Sequence, residues 1–89
     1  MNTEIQTIIL RNLINNDNFT RKVIPFLKKE YFEGNHGIIF QEILNFVSKY
    51  NKLPSGEALS IELDSANLSD SQYHEVITIV SEVSRKEEV

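Results

Sequence analysis

The chain has 89 residues, 40% of them apolar, and a formal net charge of −4 at neutral pH. This length accommodates one domain, and an acidic chain is poorly suited to non-specific binding of nucleic-acid phosphates. The absence of cysteine excludes disulfides and thiolate metal sites. No apolar run is longer than three residues, so the sequence predicts a soluble protein without a membrane span.

The first predicted helix covers about residues 3–15. Thr3 is its predicted N-cap, and Gln6 three residues later completes a capping box. The polar run at residues 15–17 is predicted to end the helix, because short polar side chains compete for backbone hydrogen bonds. Spacings of three and four place its apolar residues on one broad stripe, formed by Ile5, Ile8, Ile9, Leu10, Leu13 and Ile14.

A second helix is predicted over about residues 18–29. Pro25 lies inside its apolar pattern and should kink or split the segment, because proline lacks the backbone N–H. The apolar set of this segment is Phe19, Val23, Ile24, Phe26 and Leu27.

Three further helices are predicted, over about residues 36–51, 56–65 and 70–85. Ser55 is a good N-cap for the fourth, and Ser69 with Gln72 forms a capping box for the fifth. No segment alternates with period two for long enough to form a sheet. The predicted fold class is therefore all-α, a compact bundle of about five helices.

The sequence offers little that could support catalysis or bind a cofactor. None of the three glycines precedes a lysine, so a phosphate-binding loop is excluded. His36 and His74 lack the spacing of a metal site, although His36 could act as a local hydrogen-bonding group. Glu30 and Glu33 are expected to be solvated. We therefore predict no catalytic, cofactor-binding or metal-binding residues.

Two sets of residues are candidates for interaction. Arg21, Lys22, Lys28 and Lys29 could form one basic face if the kink at Pro25 is mild, and this face could dock an acidic partner or a nucleic-acid backbone. The alternative is an ordinary solvated surface. The second set lies on the last helix, where an uncovered apolar stripe would promote self-association; its members are Val76, Val80 and Val83.

The order and spacing of several short stretches resemble a known family. The stretches are Glu4-Ile5-Gln6 with Ile9 and Leu13, Val23-Ile24-Pro25-Phe26, Glu30-Tyr31-Phe32, His36 before Ile39-Phe40-Gln41-Glu42-Ile43, Tyr50-Asn51-Lys52-Leu53-Pro54-Ser55, and Ala58-Leu59. Together they cover about residues 4–83. The chain resembles the N-terminal domain of DnaB-type replicative helicases, and most closely the version found in large tailed phages (myoviruses).

The resemblance implies a role in DNA replication. Such helicases are hexameric ring motors, and their N-terminal domain forms a collar that contacts neighbouring subunits and helps to recruit primase. A helicase loader is a further implied partner, and the implied location is the cytoplasm, that of the host if the protein is phage-encoded. In the family this domain continues into a helical hairpin and a motor domain, so residues 1–89 are expected to be a single collar domain that lacks both.

Three hypotheses follow. The first is a non-catalytic interaction module that supports ring assembly and primase recruitment. The second is a stand-alone regulatory or nucleic-acid-binding module that uses the basic face within residues 21–29, although the acidic balance of the chain argues against direct nucleic-acid binding. The third is a small enzyme, which would need a deep pocket lined by convergent polar groups.

Overall fold

The computed structural model describes residues 3–84, and within this range it contains no strand. Two short 3-10 turns, Ile24–Phe26 and Lys29–Tyr31, connect the second and third α-helices. The predicted all-α class with five helices is confirmed. The helices are α1 (Thr3–Asn15), α2 (Asp17–Val23), α3 (Gly34–Tyr50), α4 (Gly56–Asp64) and α5 (Asp70–Val83).

Helix α1 packs against α2, α3 and α5 through a narrower apolar face than the sequence suggested. Leu10 and Leu13 are fully buried, whereas Ile5 and Ile8 are 50% and 45% exposed. A helix presents only one face to its neighbours, so part of a broad apolar stripe stays at the surface. The side chain of Thr3, the predicted N-cap, lies outside the part of the chain that the structure describes.

Helix α2 is shorter than predicted. It begins at Asp17, where the Asn16 side chain accepts a hydrogen bond from the Phe19 N–H at 3.1 Å. It ends at Val23, and Pro25 then lies in a 3-10 turn. The predicted extent of this helix, to residue 29, is too long, but the prediction that Pro25 kinks or splits the segment is confirmed, because the segment is split there.

Helix α3 crosses the domain and packs on α1, α4 and α5. Gly34 begins it with a φ of +49°, a left-handed conformation that glycine adopts without steric cost. Asn51 caps its end with a φ of 54°, and its N–H donates to the Val47 carbonyl. The turn at Asn51 directs the chain toward α4.

The core lies where α1, α3, α4 and α5 meet. Phe32 is buried, and its ring stacks on that of Phe40 with a centroid separation of 4.5 Å. The buried apolar residues are Leu10, Leu13, Ile14, Phe32, Ile39, Phe40, Ile43, Leu59, Leu63, Val76, Val80 and Val83.

The apolar stripe of α5 belongs to this core. Val76 and Val83 are fully buried and Val80 is 2% exposed. The condition for self-association, an uncovered stripe at Val76, Val80 and Val83, is therefore not met, because helices within the same domain cover these residues. Their burial also removes the reason for expecting self-association through this face.

Helices α4 and α5 are both capped by serine, as predicted. The Ser55 hydroxyl accepts from the Ala58 N–H at 3.0 Å, and the Ser69 hydroxyl accepts from the Gln72 N–H at 3.2 Å. The start of α4 also approaches the end of α5 closely, so that a Cβ atom on Gly56 would overlap the Ser84 side chain.

Candidate protein-interaction surface

Between residues 3 and 84, no cluster of three or more His, Asp or Glu residues could hold a metal ion. The surface of this part of the chain has clefts of about 250 to 670 Å³, which open to solvent. None of the helices in this range combines the length and apolarity needed to cross a membrane.

The four basic residues of the predicted basic face are all exposed. Helix α2 ends at Val23, however, and Lys28 has an extended backbone with φ −124° and ψ 147°. Arg21 and Lys28 therefore do not share a helical face, and the condition of a mild kink at Pro25 is not met. The Arg21 Nε atom lies 2.8 Å from the Asp17 Oδ2 atom, so these two exposed side chains form an ion pair. Whether Arg21, Lys22, Lys28 and Lys29 bind a partner stays a prediction.

His36 acts as the local hydrogen-bonding group that the sequence suggested. Its Nε2 atom lies 3.0 Å from the Thr7 hydroxyl, which ties the start of α3 to α1. Burial lowers the pKa of His36, while the nearby carboxylates of Glu82 and Glu33 act in the opposite direction. The neutral imidazole is therefore favoured in the folded domain.

Gln6 has a role that sequence reasoning missed. Its side chain is fully buried, and its Oε1 atom accepts the Glu33 N–H at 2.8 Å. This bond holds the segment before α3 against α1. The signal was present in the sequence, because Gln6 lies on the same helical face as Leu10 and Leu13, at spacings of four and seven.

The two carboxylates that were expected to be solvated are at the surface, whereas a third, on α3, is partly buried. Glu30 and Glu33 are both exposed, in agreement with that prediction. Glu42, on α3, is half-buried, and its pKa is raised by burial and further by the negative charge of Glu62 on α4. Both effects make the ionised form of Glu42 less favourable, which is a modest electrostatic cost of packing α4 on α3.

Several large apolar side chains remain at the surface. Ile5 and Ile8 are three residues apart on α1, so they lie on the same side of that helix. Phe26 is 76% exposed and Ile61 is 66% exposed. Ile5, Ile8 and Phe26 were predicted to lie on apolar helix faces, and in the structure all three are exposed.

Fold and surface together define a small all-α domain with a closed core and apolar side chains left exposed. No protein-family model matches the chain. Its sequence is 33% identical over 78 residues, 86% of the chain, to a DnaB-like replicative helicase of Enterobacteria phage T4. The chain spans only 16% of the length of that helicase, and the match is to a partial region of N-terminal type.

This match confirms the resemblance to DnaB-type replicative helicases that the sequence suggested. The chain is therefore similar to one region of a replicative helicase.

Proposed function

We propose that this chain is a non-catalytic protein-interaction domain of a replicative hexameric DNA helicase. In this proposal it contacts neighbouring helicase subunits, supports assembly of the ring and recruits primase at the replication fork, in the cytoplasm. The single observation that supports it most is the 33% identity to a DnaB-like replicative helicase over 86% of the chain. The domain would need no cofactor, and nucleotide-driven unwinding would belong to regions of the helicase outside the matched part.

The surface supports a role in protein contacts. Ile5 and Ile8 give the outer side of α1 an apolar pair, and Ile8 also lines, with Ile79 of α5, a groove whose other lining residues are polar or charged. Apolar residues grouped on a surface are typical of sites where proteins bind one another. We therefore expect α1 to contribute to contacts with primase, with a neighbouring subunit or with a helicase loader.

Competition in a priming reaction tests this function. The cognate helicase and primase are mixed with single-stranded template, and the isolated chain is added in increasing excess. We expect primer synthesis to fall, because the chain occupies the site on primase that the helicase uses. Undiminished synthesis at a large excess of folded chain would contradict primase recruitment.

A pair of variants tests the contribution of α1. Replacement of both Ile5 and Ile8 by Ser should weaken the competition, whereas Ile61→Ser, which changes a still more exposed isoleucine on α4, should leave it intact. Equal competition by all three proteins would place the contact elsewhere on the domain.

A further inference from the structure

A cleft of about 250 Å³ opens between α2, the turn after it and the segment that follows α3. Its apolar lining comes from Ile24, Val47 and Leu53, and its charged lining from Asp17, Arg21 and Lys52. Small-molecule sites usually measure about 300–1,000 Å³. The cleft is therefore better matched to one apolar side chain of a partner than to a whole small ligand.

Two interruptions of helical structure create this cleft. Proline ends α2, so that Ile24 falls in a 3-10 turn, and the left-handed Asn51 ends α3 just before Lys52 and Leu53. Ile24, Val47 and Leu53 are each only half-buried as a result. Their remaining apolar surface is exposed to water, and covering it would release free energy.

The charges at the cleft differ in sign from the molecule as a whole. Arg21 and Lys52 outnumber the single carboxylate of Asp17, whereas the chain carries a net charge of −4. The ion pair with Asp17 uses the Arg21 Nε atom, and a guanidinium has five N–H donors in total. Lys52 is exposed and takes part in no ion pair within residues 3–84. The cleft thus joins an apolar floor to a locally basic rim.

We propose that this cleft binds an acidic segment of a partner protein, which inserts an apolar side chain between Ile24, Val47 and Leu53 and places carboxylates against Arg21 and Lys52. The inference rests on the proposed role in protein binding and adds the chemical class of the bound segment. A nucleic acid is the weaker match, because two cations beside a carboxylate neutralise few phosphates and the apolar floor would stay uncovered.

Titration of the isotopically labelled chain with synthetic peptides, followed by amide NMR shifts, tests the proposal. The probe is a short peptide of Asp, Glu and Ser with a central Leu-Phe pair. We expect shifts concentrated at Ile24, Val47 and Leu53 that weaken as salt is added. A peptide with Asn and Gln in place of the acids, and one with Ser in place of Leu-Phe, should both bind more weakly.

Matched charge variants complete the test. Arg21→Ala combined with Lys52→Ala should weaken binding on the order of tenfold, because two partly solvated ion pairs are lost. Lys28→Ala combined with Lys29→Ala removes the same charge from exposed residues that do not line the cleft and should leave affinity unchanged. Since all four side chains are exposed, neither pair should disturb folding.

Several results would overturn the proposal. The first is the absence of amide shifts at saturating peptide, and the second is equal affinity for the acidic and the uncharged peptide. The third is an equal loss of affinity in both double variants, and the fourth is tighter binding of oligothymidylate than of the acidic peptide at the same residues. Failure with the peptides alongside successful competition for primase would reject this cleft and leave the proposed function standing. Peptide binding without competition would reject primase recruitment and leave the cleft standing.

Discussion

At the scale of single residues, packing at the Phe32–Phe40 stack has the largest consequences. Phe40 is fully buried on α3, and Phe32 closes the core from the segment before that helix. A domain of this size has a total stability of roughly 5 kcal/mol. The burial of one core aromatic ring is therefore a large fraction of the free energy of unfolding.

Phe40→Ala should lower the free energy of unfolding by about 3–5 kcal/mol, because it removes buried surface and leaves a cavity. Urea unfolding followed by circular dichroism measures this loss. Phe26→Ala is the matched control, since Phe26 is 76% exposed, and it should change stability by no more than about 0.5 kcal/mol. Similar losses in the two variants would show that the stacked pair is not part of the core.

Gly56→Ala should destabilise the domain by about 1–3 kcal/mol, because the added methyl group would overlap Ser84. Rotation of the Ser84 hydroxyl cannot relieve the overlap, since the Ser84 Cβ atom would also lie only 2.9 Å from the new methyl group. Thermal unfolding checks the loss. Combination with Ser84→Gly should recover part of the stability, and no recovery would argue against this close approach.

His36 should make stability depend on pH. Burial lowers the pKa of His36 in the folded domain below its ordinary value of 6.5, so the folded state binds fewer protons than the unfolded state. The neutral His36 therefore contributes to the free energy of unfolding. This contribution is fully present above about pH 6.5 and is lost as the pH falls from there through the lowered pKa. His36→Gln should flatten this part of the profile in urea titrations, whereas His74→Gln, at an exposed position, should not. Parallel profiles for all three proteins would contradict the assignment.

Residues whose role depends on local chemistry were predictable from the sequence. Ser55 and Ser69 were recognised as caps because a serine before an apolar period is a local pattern. The burial of Val76 was not, because it depends on which helices of the domain cover α5. Gln6 was missed for a related reason, since its hydrogen-bond partner, Glu33, lies far along the chain.

At the scale of elements, side-chain capping marks where α2, α4 and α5 begin, and proline determines where α2 ends. The starts of α4 and α5 agree with prediction because each follows a serine that satisfies a free backbone N–H. The end of α2 was misplaced by extending an apolar period through Pro25. Periodicity alone cannot separate a kinked helix from a helix followed by a 3-10 turn, because both keep apolar residues at similar spacings.

Ser69→Ala should reduce stability by about 1 kcal/mol, because the Gln72 N–H loses its acceptor at the start of α5. Ser71→Ala is the matched control in the same helical turn, where the side chain is exposed. Urea midpoints compare the two variants. Equal midpoints would mean that the Ser69 cap contributes nothing measurable to folding.

At the scale of the whole molecule, the core of the described residues is closed by the domain's own helices, and some large apolar side chains remain exposed. Ile5 and Ile8 on α1 and the cleft between α2 and the segment after α3 are separate features of this surface. Together with the similarity to a replicative helicase, they are the basis of the proposal that the domain binds other proteins. The fold class was predictable from helical periodicity, whereas the exposed contact points became visible only once the helices were packed.

The most direct test of this account is calorimetric titration of the folded chain with the cognate primase. We expect a saturable heat of binding and a defined stoichiometry at concentrations up to about tens of micromolar, a range in which weak protein complexes form. The absence of both heat and complex in that range, with each protein shown to be folded, would contradict the claim that the domain recruits primase.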